Sequence, residues 1–261
     1  MRFQPLLAKI AFAAMLAGLV VAVAACAGTR LHQWDFAFGV RLLAPGAGLG
    51  AAGFLFGAAW LWRALAMNNS LGWHYGLAGL LGAALIVGIP ADYLWRCYTL
   101  PPIHDISTDI GDAPKFETLL AWRKGASNPA GYDGPLVVTY EHEKMTTAVA
   151  QKGTYPDIKP LERLDNRTPQ RVLLSKYFWR ALNAVNALGW QVASFDLKKG
   201  RIEATDTSLW FGTVSDIVIR VRPAGAIGVR IDIRAKSRRG EADGGRNARL
   251  IRDFLELESG R

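Results

Sequence analysis

The chain has 261 residues, 51% of them hydrophobic, with 31 Lys/Arg against 22 Asp/Glu, a net charge of +9 and a pI near 9.8. Two cysteines, Cys26 and Cys97, exclude a disulfide framework and a cysteine-based metal spacing. The basic balance alone does not choose between nucleic acid and anionic headgroups or envelope polymers, but its distribution is informative: residues 1–100 carry six Lys/Arg and two acids, whereas the other 161 residues carry 45 charges.

The first part suits lipid. Residues 5–25 form an apolar run interrupted only by Lys9, long enough at helical rise to cross about 30 Å of hydrocarbon. The alternative is a cleaved lipoprotein-type signal ending at Val23-Ala24-Ala25-Cys26; the further spans that follow favour retention. Second and third spans are expected at about 42–62 and 71–89. The second carries Gly46, Gly50, Gly53 and Gly57, and the third Gly72, Gly76, Gly79 and Gly82. Each set lies on one helical face, and small residues let membrane helices approach closely, so the two faces are expected to meet. The GxGxxG string at 48–53 lacks the strand and helix N-terminus that a dinucleotide site needs. Trp34, Trp60, Trp62, Trp73 and Trp95 fall near span ends, as an interfacial belt would. The Lys/Arg count on the two sides, Arg2, Lys9 and Arg63 against Arg30, Arg41 and Arg96, is a tie. The dominance of the first helix tips the N-terminus inward, which leaves the C-terminal part outside the cytoplasm, periplasmic if there is an outer membrane.

Residues 101–167 are rich in Pro and Gly and poor in periodicity, predicting an irregular segment wrapped on the domain, with a short strand at Leu136–Tyr140 and a short helix near Glu143–Gln151. A long helix follows, with Thr168 as N-cap, Pro169 at the first position, Gly189 past its end and an apolar stripe of Leu174, Phe178, Leu182, Val185 and Leu188. Strands are predicted at 190–197, 201–206, 214–222 and 227–235. In the last two, Ile217, Ile219, Val221, Ile227, Val229, Ile231 and Ile233 alternate with Asp216, Arg220, Arg222, Arg230, Asp232 and Arg234, so one face is core and the other charged. The simplest registers place Asp216 opposite Asp232 or Arg234. Like charges directly opposed are disfavoured, so Asp216 is paired with Arg234 and Arg220 with Arg230. A closing helix after Asp243 buries Ala248, Ile251, Phe254 and Leu255. The expected fold class is α+β: a three-helix transmembrane region (1–100), then a soluble domain (101–261) with an antiparallel sheet of about four strands covered by helices on one face.

The strings PPIHDISTD (101–109), TYPDIKPL (154–161), LGWQV (188–192), RIEATDTSLWFG (201–212), SDIVIRVRP (215–223) and RIDIRAKSRRGEADGGRNARLIRDFL (230–255) resemble the bacterial domain-of-unknown-function family numbered 1499, in its membrane-anchored form. Ser215 and Ala235 depart from the acid and the serine that the resemblance implies at those positions. It implies location and architecture, and no activity.

For chemistry, the four histidines are scattered, there is no HExxH, GxSxG or GxxxxGK[ST], and neither a cofactor nor a metal is expected. His104-Asp105 is an acid/base candidate if its segment folds over the charged face of the sheet, and Glu203, Asp206, Asp216 and Asp232 could supply paired carboxylates. The sharper reading concerns the stretch Arg230–Arg252, whose eight Lys/Arg and three acids give +5. Arg234, Arg238, Arg239 and Arg246, with Gly244-Gly245 at the start of the last helix, form a candidate anion site. The partners expected are membrane lipid and an anionic envelope ligand or acidic protein. Nucleic acid is disfavoured, because no aromatic residues interleave these arginines. The leading expectation is noncatalytic binding, and the alternative is a hydrolase or transferase using His104 and the carboxylates.

Overall fold

The computed structural model describes residues 3–67 and 72–259; Arg2 and the expected start of the third span at Leu71 lie outside them. Two compact units form, one of residues 1–95 with 209–212 and one of residues 96–208 with 213–261.

In the first unit, α1 (Phe3–Arg30), α2 (Phe36–Ala66) and α3 (Trp73–Thr99) are each long and apolar enough to cross a membrane. The α1 helix runs unbroken through Cys26. Both α2 and α3 extend beyond the expected spans and contain Pro45 and Pro90. The two glycine faces meet only in part. Gly50 and Gly57 of α2 lie against Ile86, Val87 and Leu80 of α3, but a Cβ at Gly53 would meet the backbone of Ala11 at 3.0 Å, and one at Gly79 would meet it at 2.8 Å. Both stripes thus also serve α1, whose Ala8, Ala11 and Met15 are buried; its own small residues let backbones close in from two sides. Trp60 is 4% exposed and packs on Gly76, so it is part of the bundle interior rather than of an interfacial belt. Gly79→Ala is expected to destabilise the detergent-solubilised protein by roughly 1–3 kcal/mol through overpacking. Gly88→Ala, with nothing within 4 Å of its added Cβ, should leave the melting temperature unchanged or slightly raised.

The second unit is built on a six-stranded antiparallel sheet in the order β1-β8-β7-β6-β5, with β4 also on β8. The predicted four strands appear as β5 (Gln191–Asp196), β6 (Arg201–Thr207), β7 (Val214–Ala224) and β8 (Gly228–Ser237). Two more come from the irregular segment: β1 (Asp105–Ser107) and β4 (Leu161–Leu164) pair in tandem along the free edge of β8. They are too short to show a period.

The β7/β8 register differs from the expected one by two residues. Asp216 faces Lys236, Arg220 faces Asp232, and Arg222 faces Arg230. This arrangement makes two direct opposite-charge pairs. It closes the hairpin at Ala224/Gly228, where a Cβ on residue 228 would meet the Ala224 carbonyl at 2.6 Å, so glycine belongs there. The like pair Arg222/Arg230 is tolerated because Asp109 and Asp232 each accept hydrogen bonds from both guanidiniums.

Helices α6 (Gln170–Ala187) and α7 (Arg246–Ser259) cover one face of the sheet. There Leu173, Phe178, Val185, Ile202, Ile217, Ile219, Ile231, Ile233, Ile251 and Phe254 form the core. Pro169, not Thr168, is the N-cap of α6; the Thr168 hydroxyl donates to Asp165 instead. Gly189 follows the helix at φ +72°, as the C-terminal glycine rule requires. The short helix expected near 143–151 is a strand followed by a helix, β3 (Glu143–Thr146) and α5 (Thr147–Thr154), and β3 forms a hairpin with β2 (Val137–Tyr140).

Candidate functional site

The centre of the charged face of the sheet is buried. Asp216, Asp232, Glu203 and Lys236 have no exposed surface, and Arg234 has 1%. Residues 105–133 lie across them, placing Phe116, Leu119, Arg123 and Tyr132 over the strands. Burying so many charges is stable only if each is paired and hydrogen-bonded, and the covering segment supplies the partners.

Arg234 donates from Nε and Nη2 to both Asp105 oxygens at 2.8 Å, and further to the carbonyls of Pro114, Ala130 and Gly131, while Phe116 and Tyr132 lie on its guanidinium faces. A planar fork fills this slot as no ammonium could. Lys236 Nζ reaches Asp133 at 2.6 Å and the Gly131 carbonyl at 2.7 Å. Asp216 is shared by Arg123, at 2.6 Å, and by Arg238, which approaches side-on. Asp232 accepts from Arg220, Arg222 and Arg230. Glu203 takes the backbone N–H groups of Glu117 and Leu119, fixing the short helix α4 (Leu119–Trp122).

His104 lies at the edge of this layer. Its Nδ1 is 2.9 Å from the Glu241 carbonyl and its Nε2 is 3.0 Å from Asp133. With Asp105, Asp133, Leu136, Val138 and Thr147 it lines a cavity of about 110 Å³. Burial disfavours the charged ring, but the Asp133 hydrogen bond and charge and the Glu241 carbonyl outweigh it, so the imidazole pKa lies above its ordinary 6.5. Burial likewise pushes the Asp133 carboxyl up, and the hydrogen bonds from His104 and Lys236 overcome it, holding the group below the usual carboxylate range. A histidine whose pKa is raised on folding contributes stability that is complete below about pH 6.5 and is lost as the pH climbs through the raised value. The melting-temperature difference between wild type and His104→Gln is therefore expected to be largest at pH 5.5 and to shrink by pH 8.5.

The sheet divides the predicted anion site. Arg234 and Arg238 lie on the charged face. Arg246 lies on the helix face, donating to the Thr213 carbonyl, the Ser215 hydroxyl and Asp206. Gly244 and Gly245 take positive φ and lead into α7, but the amides expected to be free are engaged: Asp243 accepts from the N–H groups of Gly245 and Asn247. Asp206, expected beside Asp216 and Asp232, is on the helix face with Arg246. Arg239 is exposed. Arg123, Asp109, Tyr132 and Asp133 went unread in the sequence because their segment has no period. The one sequence signal, which covers Asp109 only, is the acid-rich DISTDIGD at 105–112, a counter-charge for the arginine strands. Among the described residues no group of three His, Cys, Asp or Glu is arranged to hold a metal ion.

The class so defined is an α+β domain with apolar anchoring helices, its sheet packed by helices on one side and by a layer of ion pairs with a buried centre on the other. The family described as Protein of unknown function (DUF1499) matches residues 105–257, and the chain belongs to that family. No curated protein matches it.

Proposed function

We propose that this is a noncatalytic membrane protein of the bacterial envelope, held in the inner membrane with its C-terminal domain outside the cytoplasm, whose arginine-rich domain binds an anionic ligand. Three helices long and apolar enough to cross a membrane support the membrane location; the side rests on the expectation of an inward N-terminus. The observation that carries the binding role is the positive surplus at one end of the buried layer: among the described residues Asp216 is the one carboxylate paired with both Arg123 and Arg238, and the next residue, Arg239, is exposed. Arg238, with its side chain 22% exposed, and Arg239 are the accessible members of the predicted set, whereas Arg234 is a structural cation. A lipid headgroup, an acidic polymer or an acidic protein surface would each satisfy two neighbouring guanidiniums. The 101–261 fragment should float more strongly with vesicles containing phosphatidylglycerol than with phosphatidylcholine alone, and Arg239→Glu should abolish the difference. Equal flotation with both vesicles, unchanged by the substitution, would exclude the lipid version and leave polymer and protein ligands to in-cell crosslinking.

A second reading, an envelope hydrolase or transferase, is favoured by one observation, the placement of His104 on a cavity beside Asp105 and Asp133. Against it, both ring nitrogens already face acceptors, and both oxygens of Asp105 and of Asp216 are taken by guanidiniums. Loss of cellular function in His104→Ala at an unchanged melting temperature would support catalysis.

A further inference from the structure

The loop between β6 and β7, Ser208 to Thr213, carries Leu-Trp-Phe-Gly at its tip. Its base is locked: the Ser208 N–H donates to the Thr213 carbonyl at 2.9 Å, the Thr213 N–H donates to the Ser208 hydroxyl at 2.9 Å, and the two hydroxyls are 2.7 Å apart. At the tip, Leu209 is 76% and Trp210 56% exposed. Leaving two adjacent large apolar side chains in water is unfavourable, and covering them is favoured.

Residues 209–212 belong to the compact unit of the membrane helices. Within that unit Arg30, the last residue of α1, donates to the Leu209 carbonyl at 3.0 Å, and the Phe211 ring meets edge-on that of Phe36, the first residue of α2, at 5.6 Å. The tip thus sits at the α1–α2 turn, where two apolar spans leave the hydrocarbon. The topology agrees independently: with three crossings, that turn and the end of α3 emerge on the same side, and the chain that carries the tip continues from the end of α3.

We infer that Leu209 and Trp210 insert into the interfacial layer of the lipid bilayer on that side, making the β6–β7 tip a fourth membrane contact that is not a span. Trp is the residue whose flat amphipathic ring favours this depth, and the tip's two neighbours, Arg30 and Phe36, are the last residue of α1 and the first of α2. The inference is independent of anion binding, because the contact is apolar.

The test uses the full chain with Cys26→Ala and Cys97→Ala, carrying either Leu209→Cys or Ala226→Cys labelled with the environment-sensitive fluorophore NBD, in phosphatidylcholine vesicles. Ala226 is exposed in the β7–β8 turn, at the other end of the 11-residue strand β7 from Thr213. The label at 209 should emit to the blue of the label at 226 and be quenched several-fold more strongly by lipids spin-labelled near the headgroup. Matching emission and quenching at the two positions would overturn the inference. So would a blue shift at 209 without lipid quenching, which would mean that protein covers the tip instead.

Discussion

Arg234→Met is expected to destabilise the sheet domain by about 3–5 kcal/mol, because it leaves Asp105 buried with one cation fewer and strips hydrogen bonds from three carbonyls. A typical domain has only about 5–15 kcal/mol in hand, so the variant should be largely unfolded at a denaturant concentration the wild type tolerates. Urea unfolding of the 101–261 fragment, followed by circular dichroism, measures this directly. Arg234→Lys should recover little: a single ammonium restores charge but cannot span both Asp105 oxygens and the carbonyls of Pro114, Ala130 and Gly131. The exposed Arg239→Ala serves as the control, expected within about 0.5 kcal/mol of wild type. A silent Arg234→Met would mean that the layer contributes no net order.

The second large effect is expected at Asp216→Asn. The side chain keeps its shape, but Arg123, buried at 3% side-chain exposure, and Arg238 then confront one another without a counter-charge, at a cost of about 3 kcal/mol or more. Removing one of the two cations should restore part of the loss: Asp216→Asn with Arg238→Ala is expected to be less destabilised than the sum of the single changes by roughly 0.5–3 kcal/mol. The cycle also separates the two functional readings. A structural Asp216 loses function in step with stability, whereas a catalytic one loses function in a folded domain.

Much of the fold was legible in the chain because burial imposes a period. The three apolar helices, the helix ending before Gly189, the alternation in β7 and β8 and the Ala248/Ile251/Phe254 face of α7 are all local patterns. Short edge strands were not legible: Asp105–Ser107 and Leu161–Leu164 are stabilised by β8, and nothing within three or four residues announces a partner so distant in sequence. The candidate site was legible by composition only. Its arginines could be counted, and the possibility that His104-Asp105 folds over the charged face could be stated, but not which carboxylates each cation meets.

By itself, then, the sequence determined the division into a lipid-like and a water-like part, the placing of the main helices and strands, and the alternation of apolar and charged residues along β7 and β8. Only the tertiary structure decided what that charge does. A two-residue change of register leaves every side chain on its original face, so hydrophobic patterning cannot distinguish Asp216 opposite Arg234 from Asp216 opposite Lys236. The choice rests on hairpin closure at Gly228 and on ion pairs with residues 105–133. The same long-range packing divides the Arg230–Arg252 stretch, burying Arg234 and Lys236 among carboxylates, turning Arg246 to the helix face and leaving Arg238 and Arg239 accessible, because charge in a one-dimensional chain carries no information about which counter-charge will be folded over it.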